Sequence, residues 1–255
     1  MSGGHAHALY VHGDSPIHRL PPECKLLAQV GFVFAVVATP REAFWAFGVY
    51  AIMVAIVAQF AGLTMGFVAK RLVIEVPFVV FAVFLPLIGQ GERIDVLGLS
   101  LSVEGLWAMW NILIKGTIGV AASVILASTT SVAGFLRGLD RLHLPRAFTS
   151  ITGFMVRYSE VITSEAHRMK VARESRGYDA RWLWQAKGFA ASAGALFIRS
   201  FERGERVHLA MLSRGYDGTM PETDDDRATR RQWVTSLAVP VFAALIAMTA
   251  WVIRP

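Results

Sequence analysis

The stretch FWAFGVYAIMVAIVAQFAGL, residues 44–63, has no charged side chain along its whole length. Its length matches the roughly 20 apolar residues that a helix needs to cross the hydrocarbon core of a bilayer. The composition of the chain agrees, because 54% of its 255 residues are hydrophobic and only 17% are charged, whereas soluble domains have about 25% charged residues. The sequence therefore predicts an integral membrane protein.

Four other apolar stretches fit a membrane span to different degrees. Residues 106–126 and 233–253 have the required length. Residues 72–88 are shorter and include Glu75, and residues 26–38 are the shortest of the four. We predict an all-α integral membrane protein with about five transmembrane helices, in which residues 26–38 are the least suited to cross the bilayer.

The charged residues concentrate between the fourth and fifth apolar stretches. Residues 134–232 contain most of the lysines and arginines and carry most of the formal net charge of +6. The positive-inside rule places such a region in the cytoplasm. Four crossings before it put the N-terminus inside as well, and the fifth puts the C-terminus outside. The expected order is a cytoplasmic N-terminal segment 1–25, a four-span region 26–132, a cytoplasmic region 133–232 and a C-terminal transmembrane helix 233–255.

The cytoplasmic region shows helical patterning rather than that of a compact domain. Residues 154–177 have apolar side chains at steps of three and four, with charged residues on the other side. A weaker pattern of the same kind starts near residue 186. Neither apolar face is large enough to close a core alone, and long amphipathic helices beside membrane spans usually lie along the bilayer or against another protein. We therefore predict two long amphipathic helices that contact a partner.

A short peptide is repeated at the ends of these two helices, as ESRGYD at residues 174–179 and LSRGYD at residues 212–217. Each glycine is placed to form a left-handed helix cap, and each preceding arginine lies near the negative end of the helix dipole. Two ordinary helix ends are the simpler interpretation, but capping requires neither the tyrosine nor the aspartate that follows. A guanidinium at a rigid helix end fits a carboxylate-lined groove, and two copies fit a dimeric partner.

Polar groups inside the predicted spans have two interpretations. Lys115 lies near the middle of the fourth span, and Asn111 precedes it by one helical turn. Such groups are usually functional or paired inside the bundle. We favour a structural pair of Lys115 with Glu75, or a contact to another membrane subunit, over an ion path.

The sequence contains few of the signals that catalytic or metal-binding proteins carry. Its histidine-rich segment HAHALYVH, residues 5–12, could bind a metal through neutral imidazoles, but we interpret it as a flexible tail. The sequence has no phosphate-binding loop G-x-x-x-x-G-K-[ST], no H-E-x-x-H and no G-x-S-x-G motif. We therefore expect no enzyme activity, no cofactor and no metal site in this chain.

With spans, basic region and paired arginines in this order, the chain resembles the transmembrane T component of energy-coupling factor (ECF) transporters, most closely the CbiQ cobalt-transport family. In that family two cytoplasmic coupling helices end in Ala-Arg-Gly motifs, and each arginine docks into a groove of one ATPase subunit. Serine stands here where alanine is commoner. The resemblance implies that the docking residues are Ser175, Arg176, Gly177, Ser213, Arg214 and Gly215.

Two further stretches carry the resemblance. SPIHRLPPECKLL, residues 15–27, is similar to the N-terminal Ser-x-x-His-x-x-Asp-Pro-Arg-x-Lys-Leu stretch of the family. Pro21 and Glu23 replace the aspartate and the arginine of that pattern. Residues 142–162 resemble the segment that precedes the first coupling helix. The resemblance therefore covers nearly the whole chain.

The resemblance implies a non-catalytic coupling subunit of an ATP-driven cobalt importer in the bacterial inner membrane. Its implied partners are a cytoplasmic ABC-type ATPase dimer, a CbiM-like substrate-binding membrane subunit and a small CbiN-like membrane subunit, and no nucleic acid. Nickel or a vitamin as the substrate stays open. A different class also stays open, namely a self-contained secondary transporter that uses Lys115, Glu75 and the histidine-rich tail itself.

Overall fold

The structure, a computed structural model, divides the chain into two compact units. We call Leu9–Leu142 together with Asp226–Pro255 the membrane unit, and we call the unit that contains His143–Asp225 the helix-pair unit. The residues that the structure describes are 10–89, 92–96, 99–178, 186–218 and 228–253.

The membrane unit is built almost entirely from helices, as the sequence predicts. Its one addition is an antiparallel hairpin in which Arg93 pairs with Ser102, which the sequence does not predict. Its elements are α1 (Pro22–Ala38), α2 (Phe44–Phe60), α3 (Met65–Arg71), a 3₁₀ turn (Leu72–Glu75), α4 (Val76–Ile88), β1 (Arg93–Val96), β2 (Leu99–Ser102), α5 (Val103–Thr129), α6 (Val132–Arg141) and α9 (Arg230–Val252).

Three helical segments in the described part of the chain are long and apolar enough to cross a membrane. They are Met65–Ile88 with 24 residues, Val103–Thr129 with 27 residues and Arg230–Val252 with 23 residues, and Phe44–Phe60 is a shorter apolar helix. The third predicted span is longer than expected, because α3 continues through the 3₁₀ turn into α4. The chain is a multi-pass membrane protein of the all-α class.

α1 is too short to be among these segments, but its packing extends along α9. Near its middle, a Cβ on Gly31 would lie 3.0 Å from Pro240 Cβ. Near its end, the Trp251 indole nitrogen donates to the Ala38 carbonyl oxygen at 2.8 Å. The two helices therefore run parallel, and α1 reaches the same end as a helix that can cross the bilayer. The count of five spans stays a prediction, which this packing favours.

α5 is the common neighbour that shows the direction of the other helices. It is antiparallel to α1, because Gln29 contacts Ser123 and an earlier residue of α5, Lys115, contacts Val37 near the end of α1. It is parallel to α2, because the first residue of α2, Phe44, stacks near Trp107 at the start of α5. α4 is antiparallel to α5, because Glu75 just before its start binds Thr117, whereas Leu85 near its end lies against Gly105 near the start of α5. Successive long helices of the membrane unit therefore alternate in direction.

The core of the membrane unit lies where α1, α2, α5 and α9 meet. Tyr50 is fully buried there, and its hydroxyl donates to the Ala243 carbonyl oxygen at 3.1 Å and lies 2.9 Å from the Thr39 hydroxyl. A buried tyrosine needs such partners, because an unpaired hydroxyl in an apolar core is costly. Phe32 and Phe47 pack edge-on against the Tyr50 ring. Ile118 of α5 belongs to the same cluster, which therefore links the four helices.

The helix-pair unit consists of α7 (Arg146–Glu174) and α8 (Ala186–Leu212). The two helices are antiparallel, because Glu165 of α7 binds Arg199 of α8 at 2.6 Å, while the later residue Arg173 binds the earlier residue Ser192 at 3.1 Å. Large apolar side chains remain exposed on both helices, including Met155 at 66% and Phe197 at 71%. The amphipathic pair therefore leaves apolar surface that it does not itself bury.

Candidate partner-docking site

The first copy of the repeat ends α7 in a Schellman motif. Gly177 has a left-handed φ of 76°. Its N–H donates to the Glu174 carbonyl oxygen at 2.9 Å, and the Tyr178 N–H donates to the Arg173 carbonyl oxygen at 3.2 Å. These two bonds satisfy carbonyls that the last turn would otherwise leave unpaired. The predicted glycine cap is therefore confirmed.

The second copy ends α8 with the same set of bonds. Gly215 has a φ of 82°. Its N–H donates to the Leu212 carbonyl oxygen at 3.0 Å, and the Tyr216 N–H donates to the Met211 carbonyl oxygen at 3.0 Å. The second predicted cap is confirmed as well. The repeated peptide thus encodes one backbone geometry twice.

The two serines also have equivalent environments. The Ser175 hydroxyl donates to the Ala172 carbonyl oxygen at 3.1 Å, and the Ser213 hydroxyl donates to the Ala210 carbonyl oxygen at 2.9 Å. A hydroxyl that donates to a carbonyl of its own helix does not need a hydrogen-bond acceptor on a partner protein. Serine can therefore stand at these positions in place of a small apolar residue without changing the surface greatly.

The side chains of both arginines have no intramolecular partner in the described residues. Arg176 and Arg214 are exposed, and the structure gives neither guanidinium a hydrogen bond or an ion pair within the ranges it describes, whereas their backbone N–H groups donate to carbonyls of their own helices. A guanidinium has five N–H donors in a planar fork and stays charged. Each helix end therefore offers a fork that can bind a carboxylate.

The antiparallel packing places the two arginines at opposite ends of the pair. Tyr178 contacts Gly188 near the start of α8, whereas Arg214 follows the end of α8. With a rise of 1.5 Å per residue, the separation between the two ends is about 40 Å. A partner that binds both arginines must therefore offer two acidic grooves at a comparable distance.

The two tyrosines of the repeat differ in their surroundings. The Tyr178 hydroxyl accepts the Gly188 N–H at 3.3 Å, and a Cβ on Gly188 would lie 2.6 Å from the Tyr178 ring. Tyr216 instead lines a groove of roughly 570 Å³ between the two helices, close to Ile151 near the start of α7. Packing within the chain therefore accounts for both tyrosines. Asp179 lies outside the described residues, and Asp217 is exposed.

The structure does not bring Lys115 and Glu75 together. Lys115 Nζ donates to the Val37 carbonyl oxygen at 2.8 Å, while Glu75 Oε1 accepts the Thr117 hydroxyl at 3.2 Å. Residues 115 and 117 of one helix face different directions, because each residue advances about 100° around the axis. The expected pair is therefore not formed. Asn111 Oδ1 is buried and has no hydrogen-bond partner among the described residues.

Two lysines bind the ends of α1 and α5 in a reciprocal arrangement. Lys25 of α1 donates to the carbonyl oxygen of Thr129, the last residue of α5, at 2.8 Å. Lys115 of α5 donates at 2.8 Å to Val37, in the last turn of α1. Each ammonium meets carbonyls that a helix end leaves unpaired, where the helix dipole favours positive charge. Both lysines thus have structural partners that the sequence does not predict.

A buried ion pair explains one departure from the family pattern. Glu23 at the start of α1 accepts from Arg141 of α6 at 3.2 Å, and only 5% and 15% of the two side chains are exposed. Breaking such a pair leaves one buried charge without its partner, which is strongly destabilising. Glu23 therefore joins α1 to α6, a contact that the spacing of 118 residues hides in the sequence.

Of the N-terminal histidines that the structure describes, His12 packs edge-on against the Tyr10 ring, and His18 has hydrogen-bond partners. His18 Nδ1 lies 2.7 Å from the Ser15 hydroxyl, and His18 Nε2 lies 3.0 Å from the Val11 carbonyl oxygen. Within the described ranges, no three histidine, cysteine or acidic side chains form a group that could hold a metal. His5 and His7 lie outside those ranges.

Comparisons with known proteins identify the family of this chain. A family model described as CbiQ, cobalt transport protein, matches residues 13–224. The energy-coupling factor transporter transmembrane protein EcfT of Ruminiclostridium cellulolyticum is 25% identical over 261 residues, which cover 96% of this chain and 94% of that protein.

Other relatives are longer than the matched region. The putative fused cobalt transport protein CbiMQ of Methanocorpusculum labreanum is 27% identical over 245 residues, which cover 91% of this chain but 40% of that protein. The uncharacterised protein MJ1089 of Methanocaldococcus jannaschii is 32% identical over 167 residues, covering 64% of this chain and 59% of that protein. Because the family model matches most of the chain, from residue 13 to residue 224, the chain belongs to the CbiQ family.

Proposed function

We propose that this chain is the non-catalytic energy-coupling transmembrane subunit of an ATP-driven ECF importer. The observation that carries the proposal is the pair of identical Schellman caps with exposed arginines, Arg176 and Arg214, at opposite ends of α7 and α8. Each cap holds one guanidinium at a rigid helix end. Two such ends match a dimer of cytoplasmic ABC-type ATPases that has one acidic groove in each subunit.

Energy coupling follows from the contacts between the two helices. Glu165 and Arg199, together with Arg173 and Ser192, tie α7 to α8. A change in the separation of the two ATPase grooves therefore acts on a connected pair rather than on two independent helices. ATP hydrolysis takes place in the ATPases, and this chain transmits their movement to a substrate-binding membrane subunit.

We propose cobalt as the transported ion. The family description and the fused relative, whose name joins CbiM to CbiQ, support a CbiM-like substrate-binding subunit, and a small CbiN-like subunit belongs to the same proposal. The similarity to proteins named EcfT keeps a second candidate, a T component for nickel or a vitamin. Genomic neighbours distinguish the two, because a gene for a CbiM-like protein beside this one supports cobalt.

We further propose that the protein lies in the inner membrane with residues 1–25 and 133–232 in the cytoplasm and the C-terminus in the periplasm. The five crossings would be four in residues 26–132 and one in residues 233–255. Two observations support this topology. The long helices of the membrane unit alternate in direction, and the basic residues concentrate in residues 134–232.

A self-contained secondary transporter is less compatible with the membrane unit. That alternative uses Lys115 and Glu75 as an intramembrane relay, but Lys115 is bound to a backbone carbonyl and Glu75 to Thr117. Uptake by the purified chain in vesicles, without ATPases, would favour the alternative.

The experiment that tests the proposal removes the two arginines singly and together. We expect Arg176→Ala and Arg214→Ala each to weaken ATPase co-purification, and the double variant to lose the ATPases and cobalt uptake. Truncating an interfacial charged residue typically costs about 2–5 kcal/mol. The loss of one arginine is partly masked, because the remaining arginine contact keeps the effective concentration of the ATPase at the altered helix end high. Lysine replacements should also weaken binding, because an ammonium lacks the planar fork.

Suitable controls are exposed charges elsewhere on the same helices. Lys170→Ala and Arg206→Ala remove only exposed ion pairs of 3.7 Å and 3.9 Å, and we expect normal co-purification from both. Arg173 is not a suitable control, because it binds Ser192 of α8. A double arginine variant that keeps its ATPases and its uptake contradicts the coupling proposal.

A further inference from the structure

The membrane unit contains a cavity of about 680 Å³ between α1, α2, α5 and α9. Its walls are mainly apolar, and they include Ala28, Phe32, Val54, Val57 and Ile125. Sites of roughly 300–1,000 Å³ with apolar walls and a few polar groups are typical of small-molecule binding. The dimensions of the cavity thus allow a ligand that is largely hydrocarbon.

The polar groups of the cavity lie together at one end. Lys25 at the start of α1, Thr129 at the end of α5 and Thr235 near the start of α9 all line it. Because α1 is antiparallel to α5 and parallel to α9, these three positions belong to the same end of the bundle. The cavity therefore has the polarity of an amphipathic molecule, with one polar end and an apolar body.

The N-terminal segment borders this polar end. Pro16, Ile17 and Leu20 line the cavity. The segment is fixed to the end of α5, because the Val11 N–H donates to the Ser128 carbonyl oxygen at 3.0 Å and Lys25 Nζ lies 3.4 Å from the His18 carbonyl oxygen. The mouth of the cavity is thus part of the folded unit rather than a gap between loose segments.

Positive charge surrounds the polar end. Lys25 Nζ has two carbonyl partners and three donors, so one N–H is left for a ligand. Arg19 precedes the lining residue Leu20, and Arg231 lies one helical turn before the lining residue Thr235. Both arginines are exposed and have no ion pair within the described ranges.

Acidic side chains at the same end of the bundle neutralise little of this positive charge. Glu23 is occupied by Arg141 in a buried ion pair, and Asp14 is exposed. Among the described residues, the mouth therefore has an excess of positive charge beside an apolar cavity. Basic pockets between transmembrane helices on the cytoplasmic side bind anionic lipid headgroups.

We propose that this cavity binds an acyl chain of an anionic phospholipid, with the headgroup phosphate held by Arg19, Lys25 and Arg231. The apolar walls exclude a free phosphate as the main ligand, because they would contribute nothing to its binding. A bound chain restores the contacts that an empty apolar cavity lacks. The lipid thereby becomes part of the packing among α1, α2, α5 and α9.

The experiment titrates the purified full-length chain with dioleoylphosphatidylglycerol and, separately, with dioleoylphosphatidylcholine, and counts bound lipid by native mass spectrometry. The two lipids share their acyl chains and differ in headgroup charge. We expect one tightly held phosphatidylglycerol molecule under conditions that remove phosphatidylcholine. Arg19→Gln and Arg231→Gln should each weaken phosphatidylglycerol retention by about fivefold, because one basic residue near a lipid surface contributes about that factor.

A matched pair of variants tests the location. Val57→Trp fills the cavity and should abolish retention, whereas Ile56→Trp adds the same side chain next to it, where the residue is 47% exposed and outside the cavity lining. Equal retention by these two variants overturns the proposal, as does equal retention of both lipids by the unmodified chain. If Val57→Trp does not fold, the double glutamine variant decides, and an unchanged preference for phosphatidylglycerol overturns the proposal.

Discussion

The ends of α7 and α8 carry the same residues, Ser-Arg-Gly-Tyr-Asp, and they also share one backbone geometry. The glycines have φ values of 76° and 82°, and the serines bond back to the third residue before them. The neighbours of the two copies differ, however. Tyr178 binds the start of α8, whereas Tyr216 lines a groove near the start of α7.

This difference indicates that the residues of the repeat have two different roles. The features that both copies share are the cap, the inward serine hydroxyl and the exposed arginine, and these are what two equivalent partner subunits would recognise. The tyrosines serve the contact between the helices, each with its own surroundings. Recognition by the partner therefore should depend on Arg176 and Arg214 and much less on Tyr178 and Tyr216.

The largest effect is expected from valine at the two glycines. Gly177→Val and Gly215→Val place a β-branched residue in the left-handed region, which costs about 1–2 kcal/mol. Nothing lies within 4 Å of a Cβ at either position, so backbone strain acts alone and should be equal in the two copies. Hydrogen exchange of the Tyr178 and Tyr216 amides should accelerate by about tenfold in the respective variant.

Gly194→Ala is the control for these valine variants. Gly194 lies inside α8 with open space around it, and alanine there should slow exchange by about two- to fivefold, because it is the better helix former by roughly 0.5–1 kcal/mol. Clearly unequal effects of the two valine variants would show that the two caps are not equivalent.

A smaller effect that differs between the copies is expected from removing the tyrosine hydroxyls. Tyr178→Phe loses the bond to the Gly188 N–H, and a hydrogen bond of this kind contributes about 1 kcal/mol. Exchange at the start of α8 should accelerate in that variant. Tyr216→Phe should leave the start of α7 unchanged, because the structure gives its hydroxyl no hydrogen bond in the described residues. ATPase co-purification should stay normal in both variants, and a loss in either one would assign that tyrosine to docking.

The smallest effect is expected from the ion pair of Glu165 with Arg199 between the two helices. The hydrogen bonds of Arg168 and then Arg199 lower the pKa of Glu165. The stabilisation by its carboxylate is therefore complete above the ordinary glutamate pKa and is lost as the pH falls below that pKa and through the lowered one. Spin-label distances between α7 and α8 should broaden in that pH range and in Glu165→Gln. Added salt should reduce the difference in spin-label distances between the unmodified chain and Glu165→Gln. If the distances in Glu165→Gln still change with pH in the same way, another titrating group causes the change.

The sequence predicts the fold well where one long pattern decides it. The charge-free stretch of residues 44–63 and the repeated glycines identify α2 and both helix ends. The start of the third span is missed, because Lys70 and Arg71 interrupt the apolar pattern although the helix continues through them. The hairpin of residues 93–102 is missed as well, because its strands have only four residues each.

The partners of the two membrane lysines could not be predicted for a different reason. Lys25 and Lys115 bind backbone carbonyls that are 104 and 78 residues away. Every residue has a carbonyl, so the sequence carries no signature of the acceptor. A lysine in a span suggests an acidic partner by default, and the sequence offers Glu75 as a candidate of that kind. The packing of α1 against α5 shows that backbone carbonyls at helix ends, rather than an acidic side chain, bind the two lysines.

If both helix ends contact the ATPases, a crosslinker placed beside each arginine should capture an ATPase subunit. Ser175→Cys and Ser213→Cys, each labelled with a photo-activatable crosslinker, leave Arg176 and Arg214 intact. In the assembled transporter both positions should crosslink to an ATPase subunit, whereas Lys170→Cys and Arg206→Cys, labelled in the same way, should give little product. Crosslinking of the ATPases from neither serine position, or from only one of them, would contradict the account of two equivalent docking points.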